Sequence, residues 1–518
     1  MGAISNLKIV DLLFNNALRY PNKTALRIDN VELTYLELKK NVLDIKKILC
    51  QYVHPGDRVG IWMQNSFSWV ATFLAINSIG AISVPINTRL TKHELAVILN
   101  DAKISTLISS KTYRGRRYLE EAIECVNFAN INCRIFEAMD FISTDKWYVY
   151  QSNFECPQTL FHIPDDVFCI QYTSGTTSIP KGVMLTNASY ITTAAYVANC
   201  QGLTPQSNLI SAGPFFHCSG SMHGITVCLW TGCTLNSFVI WDPNQYLDIV
   251  AKYKCDVSHG CFLRDVLNLN SSSSRSQLKS LRVAHAVGLP NYLMTLRDEL
   301  GIDGISNIYG MTETSGQFTM WSFEDSFVKR VSGNGRPQRG NQFRIVDIDT
   351  NQPVLLGMEG EIQMSGLTLT LGYFNRSESN AQAWTSDGWF RSGDRGQVGK
   401  NGELIYLGRY KDLLRVGGEN CSPEEIELAI QEITGIKHVC VFSLKDSRLD
   451  EIPVAVVIDH SNRDWTDVLR KLKNRLAGFK IPRDIYSALE FPMTITNRVQ
   501  RHILKDGILN NKFKKLNI

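Results

Sequence analysis

The chain has 518 residues, a net charge of +4 and 44% hydrophobic residues. This length exceeds what one hydrophobic core usually serves, so we expect at least two domains. The composition is typical of globular proteins, and the small net charge gives no support for a nucleic-acid or membrane-binding surface.

The N-terminal region contains no recognisable targeting signal. The segment MGAISNLKIVDLLFNNALRYP is interrupted by Asp11 and two asparagines, which favours an amphipathic helix over a signal peptide. The 13 cysteines are scattered without a CxxC pair, so we expect reduced, mostly buried thiols in a cytoplasmic protein.

The first half of the chain alternates between strand-like and helix-like segments. Strands are predicted at residues 57–63, 81–85, 105–109 and 167–172, and helices at residues 67–79 and 92–100. The most apolar window, residues 69–86, is broken by Asn77 and Pro85, so we predict a buried helix and a strand rather than a membrane span. Strands that alternate with helices indicate an α/β fold with parallel, doubly wound sheets.

The second half has a different pattern. Short glycine-rich β segments after Val331 (FRIVDID, GEIQMSG and ELIYLGR) predict a small antiparallel β-subdomain. Further along, helices are predicted at residues 423–433 and 465–476, with strands at residues 439–444 and 453–458. We therefore predict an N-terminal domain over residues 1–408 and a small α+β C-terminal domain over residues 409–518.

One loop carries a distinctive set of polar residues. The stretch YTSGTTSIPKGVMLT, residues 172–186, follows a buried strand and combines hydroxyls, glycines and Lys181. Gly175 lets the backbone approach a ligand, and successive N–H groups form a concavity for anions. The loop lacks the GK[ST] of a Walker A motif. It is suited to a polyphosphate, although a short TSGTT string alone would also fit a surface turn.

Further motifs follow this loop in order: PFFHCSG, NIYGMTET, GRPQRG, GEIQMSG, DGWFRSGD, GRYKDLLRVGGENCSPEEIE and LAGFKIP. With them, the chain resembles the AMP-forming acyl-CoA synthetases of the adenylate-forming superfamily over nearly its whole length. The resemblance implies two half-reactions. A carboxylate attacks the α-phosphorus of ATP to give an acyl-adenylate and pyrophosphate, and a thiol, usually of coenzyme A, then displaces AMP.

The resemblance also implies a role for each motif residue. The β- and γ-phosphates would be held by Thr173, Ser174, Gly175, Thr176, Thr177 and Lys181. Thr176 and Glu313 would contact Mg²⁺, which prefers oxygen ligands. Tyr309 would stack on adenine, and Thr312 would form a hydrogen bond with the α-phosphate. Asp394, with Arg409 beside it, would accept hydrogen bonds from the ribose hydroxyls.

The same resemblance implies which residues form the acyl and thiol sites. His217 would lie where the acyl group and the thiol channel meet, and Ile308 and Gly288 would line the acyl pocket. Other histidines, such as His223 and His259, are expected to be structural. Lys411 corresponds to the family's hinge, about which a mobile C-terminal domain would rotate, and Gly417 and Gly418 would line the pantetheine tunnel.

Two positions depart from the family pattern. In TNRVQRHILK, Arg498 stands where the family has a catalytic lysine, and Arg415 replaces a second lysine after the hinge. Arginine is a wide planar fork, whereas the lysine ammonium is compact. A misplaced donor costs about 2 to 4 kcal/mol of transition-state stabilisation, a slowing of roughly 30- to 1000-fold. Two alternatives follow for adenylation: it is impaired, or Arg498 and Arg415 serve as catalytic residues in place of the lysines. Nucleotide binding is expected to persist.

The acid and the acceptor stay open at the level of sequence. Ile308 is bulky, and NIYG is similar to the corresponding string of 4-halobenzoate–CoA ligases, which favours a small or aromatic acid. The chain also resembles crotonobetaine/carnitine–CoA ligases, but no acidic cage for a quaternary ammonium is evident. The acceptor is coenzyme A or the arm of an acyl carrier protein. The alternatives to a complete ligase are a nucleotide-binding scaffold with a protein partner, or an enzyme of the thioester half-reaction alone.

Overall fold

A computed structural model of the chain provides the coordinates. It describes residues 7–138, 148–150, 166–173, 180–260, 263–269, 276–288, 290–416, 419–446, 450–461, 463–494 and 499–516.

The described strands, in chain order, are β1 (Thr24–Ile28), β2 (Val31–Thr34), β3 (Arg58–Trp62), β4 (Ile82–Pro85), β5 (Thr106–Ser110), β6 (Arg134–Ala138), β7 (Tyr148–Tyr150), β8 (Val167–Thr173), β9 (Lys181–Thr186), β10 (Asn208–Ser211), β11 (Thr234–Ser237), β12 (Val257–His259), β13 (Val283–Ala286), β14 (Gly304–Tyr309), β15 (Thr319–Met320), β16 (Arg336–Pro337), β17 (Asn341–Val346), β18 (Gly360–Gly366), β19 (Phe390–Val398), β20 (Leu404–Arg409), β21 (Leu414–Val416), β22 (Glu419–Cys421), β23 (Val439–Asp446), β24 (Asp450–Val457), β25 (Asp484–Ser487) and β26 (Lys514–Lys515).

The described α-helices are α1 (Ile9–Arg19), α2 (Tyr35–Leu49), α3 (Phe67–Ile79), α4 (Lys92–Asp101), α5 (Tyr118–Phe128), α6 (Asn187–Cys200), α7 (Cys218–Gly220), α8 (Val227–Thr231), α9 (Pro243–Tyr253), α10 (Leu263–Leu267), α11 (Pro290–Leu300), α12 (Phe327–Ser332), α13 (Ser377–Ala383), α14 (Pro423–Thr434), α15 (Trp465–Lys473) and α16 (Arg501–Leu509). A π-helix, Ser221–Thr226, continues α7 directly into α8. Among the described helices, none has the length and apolar character that crossing a bilayer requires.

The chain divides into two compact units. The larger comprises Met1–Gly288, Leu293–Phe343 and Met364–Phe390, and the smaller comprises Leu289–Tyr292, Arg344–Gln363 and Arg391–Ile518. The domain boundary predicted at residues 408/409 and the hinge at Lys411 stay predictions.

Two sheets form the frame of the larger unit. The first has the strand order β7-β6-β5-β3-β4-β8-β9, in which the strands from β6 to β8 are parallel and the two edge strands are antiparallel. The second has the order β16-β15-β14-β13-β12-β10-β11-β1-β2 and is parallel from β14 to β1. The predicted α/β fold with parallel, doubly wound sheets is confirmed.

The helix α3 lies in the core between these sheets. Its bounds match the prediction because the Ser66 hydroxyl caps its first turn by accepting the Trp69 N–H, and Gly80, at φ 83°, ends it. Nearly every face of α3 is buried, and the same hydrophobic core takes in residues of both sheets and of α1, α2 and α6. A helix whose residues are apolar on every face, such as α3, is therefore a helix of the core.

The smaller unit holds the α+β C-terminal part of the chain. Its sheet has the order β22-β21-β24-β25-β26, and β23 pairs with β24. Helices α14 and α15 contribute apolar residues to a core with this sheet. A separate four-stranded sheet, β17-β18-β19-β20, confirms the predicted β-subdomain, and its strands β19 and β20 are antiparallel. The sequence assigned it to the N-terminal domain, whereas most of it lies within the smaller unit.

Candidate active site

The polar loop predicted to hold phosphates is bounded by two paired strands. Thr173, the last residue of β8, lies opposite Lys181, the first residue of β9, and its hydroxyl lies 3.5 Å from the Lys181 carbonyl oxygen. The pairing brings the two ends of the loop together. Ser174, Gly175, Thr176 and Thr177 lie outside the described residues.

The side chains of Lys181, Tyr373 and Glu313 converge beside this loop. The Lys181 ammonium lies 4.9 Å from the centre of the Tyr373 ring, a cation–π distance. The Tyr373 hydroxyl donates a 2.9 Å hydrogen bond to Oε1 of the buried Glu313. Burial and the adjacent carboxylate raise the pKa of Tyr373 well above its usual value, so the phenol keeps its proton and remains a donor.

Tyr373 was missed by the sequence analysis. It lies 60 residues from Glu313 in the chain, and nothing in its neighbourhood points to that contact. The pairing is fixed instead by the backbone, since the N–H of Thr370 donates to the carbonyl oxygen of Glu313 at 2.7 Å.

The predicted adenine and acyl residues follow β14. Ile308 and Tyr309 end this strand and are both buried. The turn after them requires glycine at 310, because a Cβ there would lie 2.5 Å from Cα of Gln317. Thr312 and Glu313 then form a short 3₁₀-helix, Thr312–Thr314. The tight turn places the predicted adenine, α-phosphate and Mg²⁺ residues within one short segment.

An asparagine connects β14 to the predicted acyl-pocket loop. The Asn307 side chain donates to the Gly288 carbonyl oxygen at 3.0 Å, and its oxygen lies 3.4 Å from the Gly288 N–H. The structure therefore brings Gly288 close to the strand that carries Ile308. Asn307 was not singled out in the sequence, where it is one residue of the NIYG string.

His217 caps the helical segment that leaves β10. Its Nδ1 accepts the N–H of Ser219 at 3.2 Å, which leaves the proton of the neutral ring on Nε2. The π-helix that follows α7 is a geometry often found at functional sites. The cap fixes the orientation of the His217 ring.

Asp394 and Arg409 are paired within the smaller unit. They lie opposite each other on β19 and β20, and Nε of Arg409 is 3.2 Å from Oδ1 of Asp394. Asp394 is only 3% exposed. The strand pairing thus brings together the two residues predicted at the ribose.

The segment after Arg409 contains the predicted hinge. Lys411 lies in a 3₁₀-helix, Tyr410–Asp412, and Arg415 lies in β21; their side chains are not described. Gly417, Gly418 and Arg498 lie outside the described residues, so their predicted roles stay predictions.

A charged cluster holds the start of α16. The Arg501 guanidinium lies 3.4 Å from Asp412, 3.3 Å from Glu424 and 3.1 Å from Glu427. Burial is the main cause that raises the pKa of Glu427 to about 7, and Arg501 opposes that rise. The cluster joins the residue next to Lys411 to the helix that begins three residues after Arg498.

Comparison with known proteins gives consistent matches. The family model described as "AMP-binding enzyme" matches residues 13–374. The putative acyl-CoA synthetase YngI of Bacillus subtilis (strain 168) is 29% identical, with 98% of each chain covered. The 2-succinylbenzoate–CoA ligase of Enterococcus faecalis is 28% identical, over 93% of this chain and 95% of the relative. The anthranilate CoA ligase AuaEII, solved in complex with anthranoyl-AMP, superposes with a TM-score of 0.83 at 24% identity, over 97% of each chain.

Proposed function

The chain belongs to the AMP-binding enzyme family and groups with ATP-dependent acyl-CoA ligases. We propose that it activates a small or aromatic acid as an acyl-adenylate and then transfers the acyl group to a thiol. The convergence of Lys181, Tyr373 and Glu313 beside the phosphate loop is the observation that carries this proposal. Through Tyr373, it links the Lys181 ammonium, which can bind phosphate, to the Glu313 carboxylate, which can bind a metal ion.

In the proposed first half-reaction, the phosphate loop and Lys181 hold the β- and γ-phosphates. Asp394 accepts hydrogen bonds from the ribose hydroxyls. A carboxylate oxygen of the acid attacks the α-phosphorus, the bond from that phosphorus to the bridging oxygen breaks, and pyrophosphate leaves. The chain has little covalent work to do here, since it orients two anions and offsets their charge.

Glu313 fits a role as Mg²⁺ ligand. It offers a carboxylate, the ligand type that Mg²⁺ prefers, and the Tyr373 hydroxyl orients this group through one oxygen. Bound Mg²⁺ would offset the negative charge of the phosphates. Thr176 is the second proposed ligand, by resemblance.

In the proposed second half-reaction, the acceptor sulfur attacks the acyl carbonyl carbon, the bond to the phosphate oxygen breaks, and AMP leaves. Coenzyme A is the proposed acceptor, and Gly417 and Gly418 are proposed to line its tunnel. A carrier-protein arm is the alternative thiol. The rotation of a C-terminal domain about Lys411 and a cytoplasmic location are further parts of the proposal.

The acid is proposed from the pocket residues. The buried Ile308 lies on the strand that Asn307 ties to Gly288, which favours a short acyl chain or a ring. The printed substrate of one relative, 2-succinylbenzoate, is also an aromatic acid.

A second candidate function follows from Arg498. If arginine at this position prevents adenylation, the protein binds nucleotide and acts through a protein partner, or performs the thioester step alone. The intact set of Lys181, Glu313 and Asp394 favours the complete ligase, because a chain that has lost adenylation usually loses these groups first.

Exchange of pyrophosphate with ATP tests the proposal. We expect exchange that depends on one of a panel of small and aromatic acids, followed by thioester formation when coenzyme A is added. Stabilisation of the protein by ATP without exchange for any acid would instead support the scaffold. Lys181→Ala should abolish both signals, whereas Lys252→Ala, on the distant helix α9, should abolish neither.

A further inference from the structure

Three buried histidines lie together in the larger unit. His223 is in the π-helix, His259 ends β12 and His285 lies in β13, and none is more than 4% exposed. One ring nitrogen of each lies within 4.8 Å of those of the others. Burial lowers the pKa of His223 to about 3 and that of His259 to about 4, and also lowers the pKa of His285, so all three rings are neutral at pH 7.

His259 is fully bonded by the protein. Its Nδ1 lies 2.7 Å from the carbonyl oxygen of His223 and therefore donates. Its Nε2 is then a lone pair, 2.5 Å from the end of the Gln201 side-chain amide, and the Gln201 NH2 group donates to it when that amide is turned towards the ring. With both nitrogens engaged, His259 has no atom left for a ligand, and its ring stacks on His285 at a centroid distance of 4.3 Å.

His223 and His285 each keep one nitrogen without a hydrogen-bond partner among the described residues. Nε2 of His223 lies 3.3 Å from the Gly316 carbonyl oxygen and donates to it, so its Nδ1 is a lone pair. Nε2 of His285 accepts the N–H of Gly260 at 3.1 Å, so its Nδ1 carries the proton. The two adjacent rings, with centroids 4.6 Å apart, therefore present one acceptor and one donor.

This cluster lies at the sheet edge that also carries the residues proposed for the acyl pocket. His259, His285 and Tyr309 lie at or near the carboxyl ends of three neighbouring parallel strands, the edge where α/β sheets bind ligands. His285 pairs with Ser306, and Ile308, two residues further along β14, is on the same face of the sheet. His223 follows His217 on the same continuous helical segment.

We propose that His223 and His285 form the polar end of the acyl pocket and select an acid that carries a hydroxyl group. The ligand oxygen accepts the Nδ1–H of His285, and its hydrogen is donated to Nδ1 of His223. A hydroxyl is a small group that both donates and accepts. This inference rests on the proposed function and names the substrate class of the same site.

Other ligands match the cluster less well. A ketone would satisfy His285 alone and leave the His223 lone pair buried without a partner. A second carboxylate would bury a charge among neutral rings. A metal ion needs several lone pairs, but Nε2 of His285 is taken by Gly260 and Nε2 of His259 by Gln201, so only His223 has one to offer.

Binding of inert acyl-adenylate analogues tests the inference without requiring catalysis. We would measure the affinity of acyl-sulfamoyl-adenosines in matched pairs, para-hydroxybenzoyl with benzoyl and omega-hydroxyhexanoyl with hexanoyl. In at least one pair, the hydroxylated member should bind about 10- to 100-fold more tightly, the factor for pairing two buried polar atoms. His223→Leu should remove this preference, and His223→Asn, which keeps an acceptor near Nδ1, should restore part of it.

The control variant is His93→Leu, which changes an exposed histidine on α4 and should keep the full preference. Equal affinity within every pair would overturn the inference, as would failure of all analogues to bind a protein that ATP stabilises. Thermal stabilisation by Zn²⁺ alone, lost in His223→Leu, would overturn it in favour of a metal site. A preserved preference without any pyrophosphate exchange would support the inference while contradicting the proposed ligase activity.

Discussion

The Tyr373 hydroxyl and the Glu313 carboxylate are joined by a 2.9 Å hydrogen bond, with the Lys181 ammonium 4.9 Å from the Tyr373 ring. The bond occupies one oxygen of Glu313 and therefore restricts the orientation of this carboxylate. Loss of a partner that orients a metal ligand typically costs about 10- to 100-fold in metal affinity. The structure thus adds Tyr373 to the set of residues on which nucleotide binding is expected to depend.

We predict that Tyr373→Phe weakens the response to Mg²⁺. The Mg²⁺ concentration that gives half of the ATP-induced thermal stabilisation should rise about 10- to 100-fold, because Glu313 loses its orienting donor. Tyr246→Phe is the matched control, since it removes another buried tyrosine bond, 2.7 Å to Ser258, away from the loop. Identical Mg²⁺ responses of the two variants would contradict the assignment of Glu313.

The second prediction concerns Asp394. Asp394→Asn should weaken AMP binding about 10- to 100-fold, because hydrogen bonds from hydroxyls to a charged acceptor contribute about 1.5 to 3 kcal/mol. Calorimetric titration would measure the change. The variant should also lose the preference for AMP over an analogue that lacks one ribose hydroxyl. Glu359→Gln, which breaks the neighbouring ion pair of 2.9 Å with Arg395, should bind AMP normally; an equal loss there would indicate a general structural effect.

The parts of the fold that could be predicted are those set by local signals. The bounds of α3 follow from a serine cap, a run of apolar residues and a terminal glycine, all readable in the sequence. The alternation of strands and helices likewise indicated the parallel sheets. The order of strands within each sheet could not be obtained in this way, because it depends on contacts between distant segments.

The candidate site shows the same limit. The phosphate loop, Glu313, Asp394 and Arg409 were predicted from motifs, whereas Tyr373 was not, because its proposed role rests on a contact over 60 residues. Similarly, His223 and His259 were expected to be structural, and His285 was not singled out. Their common position depends on the pairing of β12 with β13 and on the contact between the π-helix and the end of β12, which single residues do not reveal.

The third prediction is a pH dependence of stability. Glu427 has a folded-state pKa of about 7, above the ordinary value of 4.5, so the folded protein binds more protons than the unfolded chain between these values. Its contribution to stability is therefore complete below about pH 4.5 and is lost as the pH rises through about 7. The free energy of unfolding of the smaller unit should fall by about 1 to 3 kcal/mol over this range through Glu427.

Glu427→Gln should remove this part of the pH dependence. Thermal unfolding of the variant and the natural protein would be compared between pH 5 and about pH 7.5. Glu425→Gln is the control on the same helix, since Glu425 makes a more exposed ion pair with Lys480. Parallel pH profiles for the natural protein and Glu427→Gln would show that Glu427 does not titrate in this window.

The last prediction concerns Arg498, which stands where the family has a catalytic lysine. Arg498→Lys should raise the rate of acid-dependent pyrophosphate exchange roughly 30- to 1000-fold, if the compact ammonium reaches a point between the acid and the α-phosphate that the guanidinium fork misses. Nucleotide affinity should change little, because Lys181 and Asp394 are retained. The effect would therefore be seen in kcat rather than in ATP-induced stabilisation.

Arg463→Lys is the matched control substitution, because Arg463 forms a partly exposed ion pair with Asp459 in the same unit. This substitution should not alter the rate of pyrophosphate exchange. A rate increase for Arg498→Lys alone would show that the acyl and nucleotide sites are competent and that arginine limits adenylation. The natural protein would contradict this prediction if it exchanged pyrophosphate efficiently and Arg498→Lys left that rate unchanged or lowered it. The remaining residues of this site would then accommodate the guanidinium, and Arg498 itself would supply the charge that adenylation requires.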